Sequence, residues 1–286
     1  MLQIRPAAEG HIGGEIIGLN IENLTKQDTQ AILDAVYRDK LVVIRDQHLD
    51  THQYINLAKM LGTPQIYFQE NYHHKQHPEI FVSSNVLENG EKVGVPGTGQ
   101  YWHTDCAFFD APLPLTMVYP QIIPPSVRYT NYIDLEMVYN KLPEHLKAAI
   151  ADKNLVHEAK WRYKVQACDV DKSIIDIMSE FQKITPAVEH PAVLTHPVTG
   201  KQSLYASEGF TTGVADLPAE QSQQVLQEIL AFIDKPEHVH VHHWQEGDIL
   251  LWDNRPLIHK ASPIPKGEES KSYRIGVIDD FPFYNQ

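Results

Sequence analysis

Three residues of the sequence have the types and spacing to hold one metal ion together. His103 and Asp105 form a His-x-Asp motif, and in an extended strand side chains two residues apart point to the same face. A second histidine, His259, follows an apolar stretch at 249–252 that would form an anchoring strand. Two imidazoles and one carboxylate leave positions open for a cosubstrate and dioxygen, as in non-haem iron(II) oxygenases. The pattern therefore predicts an iron site at His103, Asp105 and His259.

Two further residues are suited to binding a carboxylate near such a site. Arg274 lies fifteen residues after His259, in a strand-like run. Its guanidinium can donate two parallel hydrogen bonds, which matches a carboxylate better than the point charge of a lysine. Thr130, twenty-five residues after Asp105, can add a hydroxyl to the same carboxylate.

The elements that must position these residues are mostly short strands. We predict strands at 41–45, 79–84, 115–119, 127–134, 202–206, 238–243, 248–252 and 272–278. Helices are predicted at 27–38, from a cap at Thr51 to a stop at Gly62, and at 143–152, 171–183 and 218–233. Strands and helices do not alternate regularly, which argues against a doubly wound parallel sheet. A mainly β fold, a sandwich or jelly roll with flanking helices, fits better, and we expect one domain over residues 1–286.

Two polar, glycine- and proline-containing loops flank the predicted metal ligands. One, at 87–100, precedes His103, and the other, at 261–271, follows His259. They are either ordinary surface connections or lids over the site.

Composition excludes several classes of partner. The chain has 24 Lys and Arg against 37 Asp and Glu, a formal charge of −13, which repels nucleic acid and anionic lipid. A local cluster of cations can still bind a small anion. No apolar run approaches the ~18 residues of a membrane span, and the N-terminal region lacks the pattern of a signal peptide. With only Cys106 and Cys168, a disulfide framework is not expected. We expect a cytoplasmic protein, with oligomerisation left open.

Beyond these local patterns, the chain resembles the TauD/TfdA family of iron(II)/2-oxoglutarate-dependent dioxygenases. The matching segments are GGEIIGLNIENL at 13–24, LVVIRDQ at 41–47, WHTD at 102–105, HPVTGKQSLY at 196–205, HHWQEGDILLWDNRPLIHKA at 242–261 and YRIGV at 273–277. The resemblance implies a double-stranded β-helix core (a cupin-like jelly roll) and an oxidoreductase that uses Fe(II), 2-oxoglutarate and O2. It also implies that His103, Asp105 and His259 hold the iron. Arg274, helped by Thr130, would pair with the distal carboxylate of 2-oxoglutarate.

Further segments are most similar to the isonitrile-forming branch of that family, which serves isonitrile lipopeptide biosynthesis. They are YHH at 72–74, HPEIFVSSNV at 77–86, VGVPGTG at 93–99 and SEGF at 207–210. The resemblance implies a small dicarboxylate substrate, an N-(carboxyalkyl)glycine, that loses carbon dioxide and four hydrogens in two successive oxidations. Arg128 would then take the glycine carboxylate, and Lys164 would hold the outer carboxylate together with Tyr67 and Tyr72.

Two positions depart from the pattern of that branch and keep alternatives open. Phe68 stands where the branch tends to have a second tyrosine, and the segment around Pro263 lacks an expected histidine. The alternative outcome is hydroxylation of another small carboxylate or sulfonate by the same machinery. A catalytically dead jelly-roll binding protein is a second alternative, which the intact ligand set disfavours. A cupin-like zinc or manganese enzyme is a third, and Arg274 with Thr130 argues against it.

Other residues have simpler interpretations. His238, His240 and His242 alternate along a predicted strand, and a solvated face explains them more simply than a second metal site. We expect Cys106 to pack on the strand face opposite the metal. Asp253 and Arg255 are expected to pair and to orient the loop that carries His259.

Overall fold

The backbone is built mainly from strands, with helices packed against them. The computed structural model describes residues 2–285. Its helices are α1 (Lys26–Asp39), α2 (Thr51–Leu61), α3 (Leu135–Lys141), α4 (Glu144–Ile150), α5 (Ile174–Ile184) and α6 (Ala219–Ile233). Its strands are β1 (Gln3–Arg5), β2 (Gly14–Ile17), β3 (Leu41–Ile44), β4 (Thr63–Gln65), β5 (Phe81–Ser84), β6 (Leu87–Glu88), β7 (Glu91–Lys92), β8 (Leu115–Ile122), β9 (Tyr129–Asp134), β10 (Asn154–His157), β11 (Val188–Pro191), β12 (Val193–Thr195), β13 (Gln202–Leu204), β14 (Thr211–Val214), β15 (Val239–His243), β16 (Ile249–Asp253), β17 (Leu257–Ala261) and β18 (Lys271–Ile278). Short 3-10 helices lie at Ile21–Asn23, Glu70–Tyr72, Lys160–Arg162, Ala167–Asp169 and Pro236–His238.

Local capping decides where helix α2 begins and ends. The Asp50 carboxylate accepts a hydrogen bond from the Gln53 N–H at 2.8 Å, and the Gln53 side chain accepts one from the Asp50 N–H at 3.0 Å. This reciprocal capping box makes Asp50 the cap. The expectation that Thr51 caps the helix is therefore wrong by one residue, because the carboxylate before it already satisfies the free amide. Gly62 ends the helix as predicted.

The large sheet carries the main hydrophobic core. Its strand order is β1-β2-β3-β16-β8-β18-β4, and β5 also pairs with β18. All of these pairs are antiparallel except β2 with β3. Apolar side chains of α1 and α2, among them Ile32 and Leu57, share one buried cluster with Met117 of β8 and Ile275 of β18. The two helices therefore cover one face of this sheet.

A smaller antiparallel sheet, in the order β15-β9-β17, completes the core. Tyr132 of β9 packs against Trp252 of β16, with ring centroids 5.6 Å apart, so side chains of the two sheets interdigitate. The chain crosses between the sheets in the turn that joins β16 to β17. Two packed antiparallel sheets joined by such crossings form a jelly roll, which confirms the predicted mainly β fold.

Two elements near the site were missed by the sequence patterns. Helix α3 follows β9 directly and begins where the Asp134 carboxylate accepts from the N–H groups of Glu136 and Met137. Strand β17, which carries His259, was expected only as a segment beyond β16. Its apolar run is short and follows Pro256, so it does not stand out in the sequence. Within residues 2–285, no helix is both long and apolar enough to cross a membrane.

The two polar loops meet at one edge of the metal cluster. After the β6–β7 hairpin the first loop rejoins the scaffold, because the Val95 N–H donates to the Val82 carbonyl at 3.1 Å. At its end the Gly99 carbonyl accepts from the Ala261 N–H at 2.8 Å. The loop preceding His103 is thus tied to the strand that carries His259.

Candidate functional site

His103, Asp105 and His259 form one compact, buried cluster. Their ligand atoms all lie within 4.8 Å of one another. Asp105 Oδ1 is 3.7 Å from His103 Nε2, and Asp105 Oδ2 is 3.9 Å from His259 Nε2. His103 Nδ1 bonds the Tyr101 carbonyl at 2.8 Å, which leaves Nε2 free to face a metal. Two nitrogens and a carboxylate at this spacing fit an iron(II) ion with open coordination positions.

A backbone bridge, and not a continuous strand, brings the two histidines together. His103 and His259 form an isolated antiparallel bridge, with N–H···O distances of 3.0 and 2.9 Å in the two directions. The chain turns at once after His103, and Cys106 has a positive φ of 58°. The expectation that one extended strand aligns His103 with Asp105 is therefore wrong. For the same reason Cys106 does not face away from the metal: it lines the cleft beside it, and burial raises the pKa of its thiol to about 12.

The electrostatics of the cluster favour the protonation states that bind metal. Burial favours the neutral form of Asp105, yet Arg274, His259 and His103 outweigh it and hold its pKa at about 2. Burial lowers the pKa of both His103 and His259 below the ordinary value. A carboxylate and two neutral imidazoles are the required ligand forms.

The turn that leads into β17 is fixed by buried ion pairs. Asp253 accepts from His196 Nε2 at 2.7 Å and from the Arg255 N–H at 2.8 Å. Arg255 also makes a two-pronged pair with Asp279, at 2.9 and 3.0 Å. Asp253 and Arg255 therefore do contact each other, with their guanidinium–carboxylate distance at 3.5 Å. Their network holds the segment that delivers His259.

Three residues that the sequence patterns did not single out reach Asp105 through hydrogen bonds. Thr116 Oγ1 donates to Asp105 Oδ2 at 2.8 Å. Asn254 Nδ2 donates to Thr116 Oγ1 at 2.8 Å, and Trp252 Nε1 donates to Asn254 Oδ1 at 2.9 Å. Asn254 lies between Asp253 and Arg255, which were expected from the sequence to pair. Thr116 lies within an apolar strand, where its hydroxyl gave no signal.

Arg274 lies directly against the metal cluster. Its Nη1 is 2.5 Å from Asp105 Oδ1, and its guanidinium lies over the rings of Phe81 at 4.1 Å and Tyr67 at 5.5 Å. Burial disfavours its cationic form, but Asp105 outweighs burial and keeps the pKa of Arg274 raised. The predicted cation is thus present, within hydrogen-bond distance of the predicted metal ligand Asp105.

Arg128 and Thr130 form a separate polar corner of the same cleft. The Arg128 guanidinium lies 4.7 Å from the Trp244 ring, and Trp244 Nε1 donates to Thr130 Oγ1 at 3.0 Å. Arg128 Nη1 also donates to the carbonyl and hydroxyl of Ser262, while its Nε has no partner within the described chain. Burial lowers the pKa of Arg128 to about 10. This is a buried cation without an acidic partner among residues 2–285.

Lys164, Tyr67 and Tyr72 also line the cleft. Lys164 Nζ donates to the carbonyls of Pro96 at 2.5 Å and Gly97 at 2.8 Å, and burial lowers its pKa. The rings of Tyr67 and Tyr72 are 5.4 Å apart. The cleft opens to solvent, so a small ligand could enter it from outside. All nine predicted site residues line it: Tyr67, Tyr72, His103, Asp105, Arg128, Thr130, Lys164, His259 and Arg274.

The two departures from the branch pattern fall at different places. Phe68 packs on Phe109 and Tyr67 with ring centroids 5.5 and 4.7 Å apart, so it supports the aromatic wall behind the cleft. Pro263 follows Ser262, the hydrogen-bond partner of Arg128.

His238, His240 and His242 do not form a second metal site, and the expectation of a solvated face is wrong because His238 and His242 are buried. His242 bonds Asp248 at 3.3 Å. Over residues 2–285, the only His, Cys, Asp and Glu side chains that lie close enough in a group of three to share a metal are His103, Asp105 and His259.

Comparison with known proteins agrees with this geometry. The chain matches the model of the Taurine catabolism dioxygenase TauD, TfdA family over residues 3–275. It is 29% identical over 268 residues to an alkylsulfatase of Acinetobacter baylyi, covering 91% of this chain and 80% of that protein. It is 28% identical over 265 residues to an alpha-ketoglutarate-dependent sulfate ester dioxygenase of Pseudomonas putida, covering 91% and 84%.

Solved structures share the fold. A taurine dioxygenase from Burkholderia xenovorans superposes with a TM-score of 0.78 at 24% identity, covering 98% of this chain and 90% of that one. The crystal structure of AAD-2 in complex with Mn(II) and N-oxalylglycine has a TM-score of 0.81 at 21% identity, covering both chains completely. The family match over almost the whole chain and the buried His-Asp-His cluster lead to one conclusion. The chain belongs to the TauD/TfdA family and is an Fe(II)/2-oxoglutarate-dependent dioxygenase.

Proposed function

We propose that this dioxygenase converts a small dicarboxylate of the N-(carboxyalkyl)glycine type into an isonitrile. The observation that carries the proposal is the presence of three cationic side chains, Arg128, Arg274 and Lys164, around one cleft. Arg128 and Lys164 have no acidic partner in the described chain, and the acidic partner of Arg274 is the cluster residue Asp105. Buried or half-buried cations of this kind require anions to balance them. One cation is accounted for by 2-oxoglutarate, and two remain for the substrate.

The metal would be held by His103, Asp105 and His259. When bound with 2-oxoglutarate, Fe(II) supplies the activation of O2 that removes hydrogen from an unactivated C–H bond. The protein contributes neutral imidazoles, an ionised carboxylate and a buried setting.

Arg128 and Thr130 are better placed than Arg274 to bind the distal carboxylate of 2-oxoglutarate. In the β9–β17 pairing, Tyr132 lies opposite the metal residue His259, and Thr130 lies opposite Ala261. Thr130 is thus two residues along the strand from Tyr132, the residue paired with His259, a separation of about 7 Å. That spacing suits a five-carbon diacid whose other end chelates the metal. Arg274, at 2.5 Å from Asp105, is placed for an anion at the metal itself. This division of roles is the reverse of the one implied by the sequence resemblance.

The substrate would then lie between Arg274 and Lys164. Arg274 would take the glycine carboxylate beside the metal, with Tyr67 and Tyr72 as neighbours. Lys164, fixed by the carbonyls of Pro96 and Gly97, would take the outer carboxylate. Two fixed cations at opposite ends orient a flexible dianion so that one methylene faces the metal.

The atom balance requires two turnovers. The conversion of R–NH–CH2–COO⁻ to R–N≡C releases carbon dioxide and removes four hydrogens, counting the carboxylic proton. Each 2-oxoglutarate consumed accounts for two hydrogens, one O2, one succinate and one carbon dioxide. The intermediate must therefore stay bound or rebind, which the anchor of Lys164 on the outer carboxylate favours.

The apolar wall protects this chemistry from water. Phe108, Phe181 and Phe210 line the cleft, and Phe108 and Phe210 pack with ring centroids 4.8 Å apart. Phe210 also lies 6.0 Å from the His103 ring. A wall of this kind excludes bulk water from the reacting carbon.

The test is a mass-spectrometric assay in air with Fe(II), ascorbate, 2-oxoglutarate and N-(carboxymethyl)-3-aminobutyrate. We expect a product lighter by carbon dioxide and four hydrogens, with two succinates for each product. Lys164→Met should raise the substrate KM about 10- to 100-fold while the 2-oxoglutarate requirement stays unchanged, since a charged partner is lost. Arg162→Met is the matched control, because Arg162 also lines the cleft but is already paired with Glu208. Equal effects of the two changes would contradict the role of Lys164.

Hydroxylation of a singly charged substrate is the second candidate. It is favoured by the relatives named as an alkylsulfatase and a sulfate ester dioxygenase. Arg274 beside the metal and the phenylalanine wall would suit a sulfate or carboxylate head with an apolar chain. This reaction gives one succinate for each oxygen inserted. With an alkyl sulfate, hydroxylation of the carbon that bears the sulfate ester would release an aldehyde and inorganic sulfate, so release of one sulfate and one succinate per turnover in the same assay separates the two proposals.

A further inference from the structure

The carboxylate of Asp105 has an orientation that its own backbone does not provide. The chain leaves extended geometry after His103 and turns at residues 105–108. A turn does not by itself aim a side chain at the two imidazoles. Two groups outside the turn restrain the carboxylate: Arg274 Nη1 lies 2.5 Å from Asp105 Oδ1, and Thr116, in the β8–β16 region, donates to Oδ2 at 2.8 Å.

The direction of these hydrogen bonds is fixed from one end. An indole N–H can only donate, so the bond from Trp252 makes the Asn254 Oδ1 atom an acceptor. Asn254 Nδ2 must then face Thr116 as a donor. With its oxygen accepting from Asn254, the Thr116 hydroxyl directs its own hydrogen to Asp105. All three residues are almost completely buried, so water does not compete for these bonds.

We propose that Trp252, Asn254 and Thr116 form a positioning relay that holds the Asp105 carboxylate in the orientation from which it would bind a metal. The relay bonds to Oδ2, the oxygen that lies 3.9 Å from His259 Nε2, while Arg274 Nη1 lies 2.5 Å from Oδ1. Trp252 and Asn254 belong to the segment that ends in His259. One stretch of chain therefore provides the third ligand and also aims the second. This inference rests on the proposed metal site.

The experiment is a titration of metal-free protein with Co(II) under argon, followed by its visible absorption. Thr116→Val keeps the shape of the side chain and removes the hydroxyl. We expect its Co(II) affinity to fall about 10- to 100-fold, the usual effect of losing an outer hydrogen bond to a metal ligand. Thr116→Ser should restore the affinity to within about threefold of the wild type, because it returns the hydroxyl.

Thr104→Val is the matched control. Thr104 is also buried and adjoins Asp105 in the chain, but its hydroxyl donates to the Leu257 carbonyl at 3.4 Å. This change should leave Co(II) affinity unaltered. Trp252→Phe, which keeps an aromatic ring and removes the N–H, provides a second variant and should weaken Co(II) in the same direction as Thr116→Val. If Thr116→Val does not fold, the Co(II) affinity of Trp252→Phe tests the relay in its place.

Thermal unfolding of the metal-free variants separates positioning from simple stabilisation. If Thr116→Val and Trp252→Phe lower the Tm yet bind Co(II) as the wild type does, the relay is structural only and the inference is overturned. Failure of Thr116→Ser to recover affinity would overturn it as well. If wild-type protein and His103→Ala bind Co(II) equally, the metal site itself is wrong, which is a different failure.

Discussion

Arg128 is a buried cation whose charge no acidic side chain balances among residues 2–285. Burial lowers its pKa from 12.5 to about 10. At about 1.4 kcal/mol for each tenfold change in protonation, keeping this charge costs the ligand-free fold about 3 kcal/mol. Its hydrogen bonds to Ser262 return about 1 kcal/mol each. The empty corner therefore carries a net cost of about 1 kcal/mol, which a bound carboxylate would remove.

Arg128→Met should accordingly separate stability from binding. The change keeps a long side chain and removes the charge, so the metal-free protein should unfold at an equal or slightly higher temperature. Binding of 2-oxoglutarate should weaken, because its distal carboxylate loses a buried charged partner. A loss of about 3 kcal/mol, within the range for such truncations, corresponds to roughly 100-fold in Kd.

The assay is an anaerobic calorimetric titration of Fe(II)-loaded protein with 2-oxoglutarate and with 2-oxopentanoate. The second acid has the same five carbons but lacks the distal carboxylate. Wild-type protein should strongly prefer 2-oxoglutarate, and Arg128→Met should lose most of that preference. Arg274→Met is the comparison variant and should retain the preference. If Arg274→Met loses it and Arg128→Met keeps it, the proposed roles of the two arginines are refuted.

Three further changes test other parts of the site. His103→Ala should abolish iron-dependent succinate formation, and unchanged turnover would remove His103 from the metal site. Gly99→Ala should weaken metal binding, since its Cβ would lie 2.9 Å from His103 Cε1, whereas Gly90 also has a positive φ but open space around it, so Gly90→Ala should not. Burial lowers the pKa of His157 to about 3, so the unfolded chain binds more protons below pH 6.5 and stability falls as the pH drops. The loss should reach about 3 kcal/mol by pH 4.5 in urea unfolding, and an equally steep loss in His157→Phe would contradict this.

Residue type and spacing were enough to predict the metal cluster. His103, Asp105 and His259 could be selected because the His-x-Asp motif is accompanied by a histidine after an apolar stretch and by segments that resemble the family. The extended strand expected to align them was nevertheless wrong, since strand periodicity does not register a turn such as the one at Cys106. The bridge between His103 and His259 joins residues far apart in the chain, and no local pattern contains it.

The supporting groups were harder to predict. Thr116 has a single hydroxyl in an otherwise apolar strand. Its role depends on the fold bringing Asp105 within hydrogen-bond distance of that hydroxyl. Arg274 was selected by its charge and its predicted strand, and Arg128 by the family resemblance, and both reach the cleft. Their separate positions depend on the register of β9 with β17 and of β18 with β8, and register is a property of the assembled sheets.

The burial of Arg128 within the cleft has a kinetic consequence. A chain with a formal charge of −13 presents a repulsive field to a dianion that is still outside, and this field is felt over about 30 Å at low salt but only about 8 Å at physiological salt. Moderate salt should therefore speed the entry of anionic ligands, the reverse of electrostatic steering. Once an anion is paired with buried Arg128, the salt ions of the solvent screen that pairing much less. Ionic strength should therefore change the association rate of anionic ligands much more than their dissociation rate.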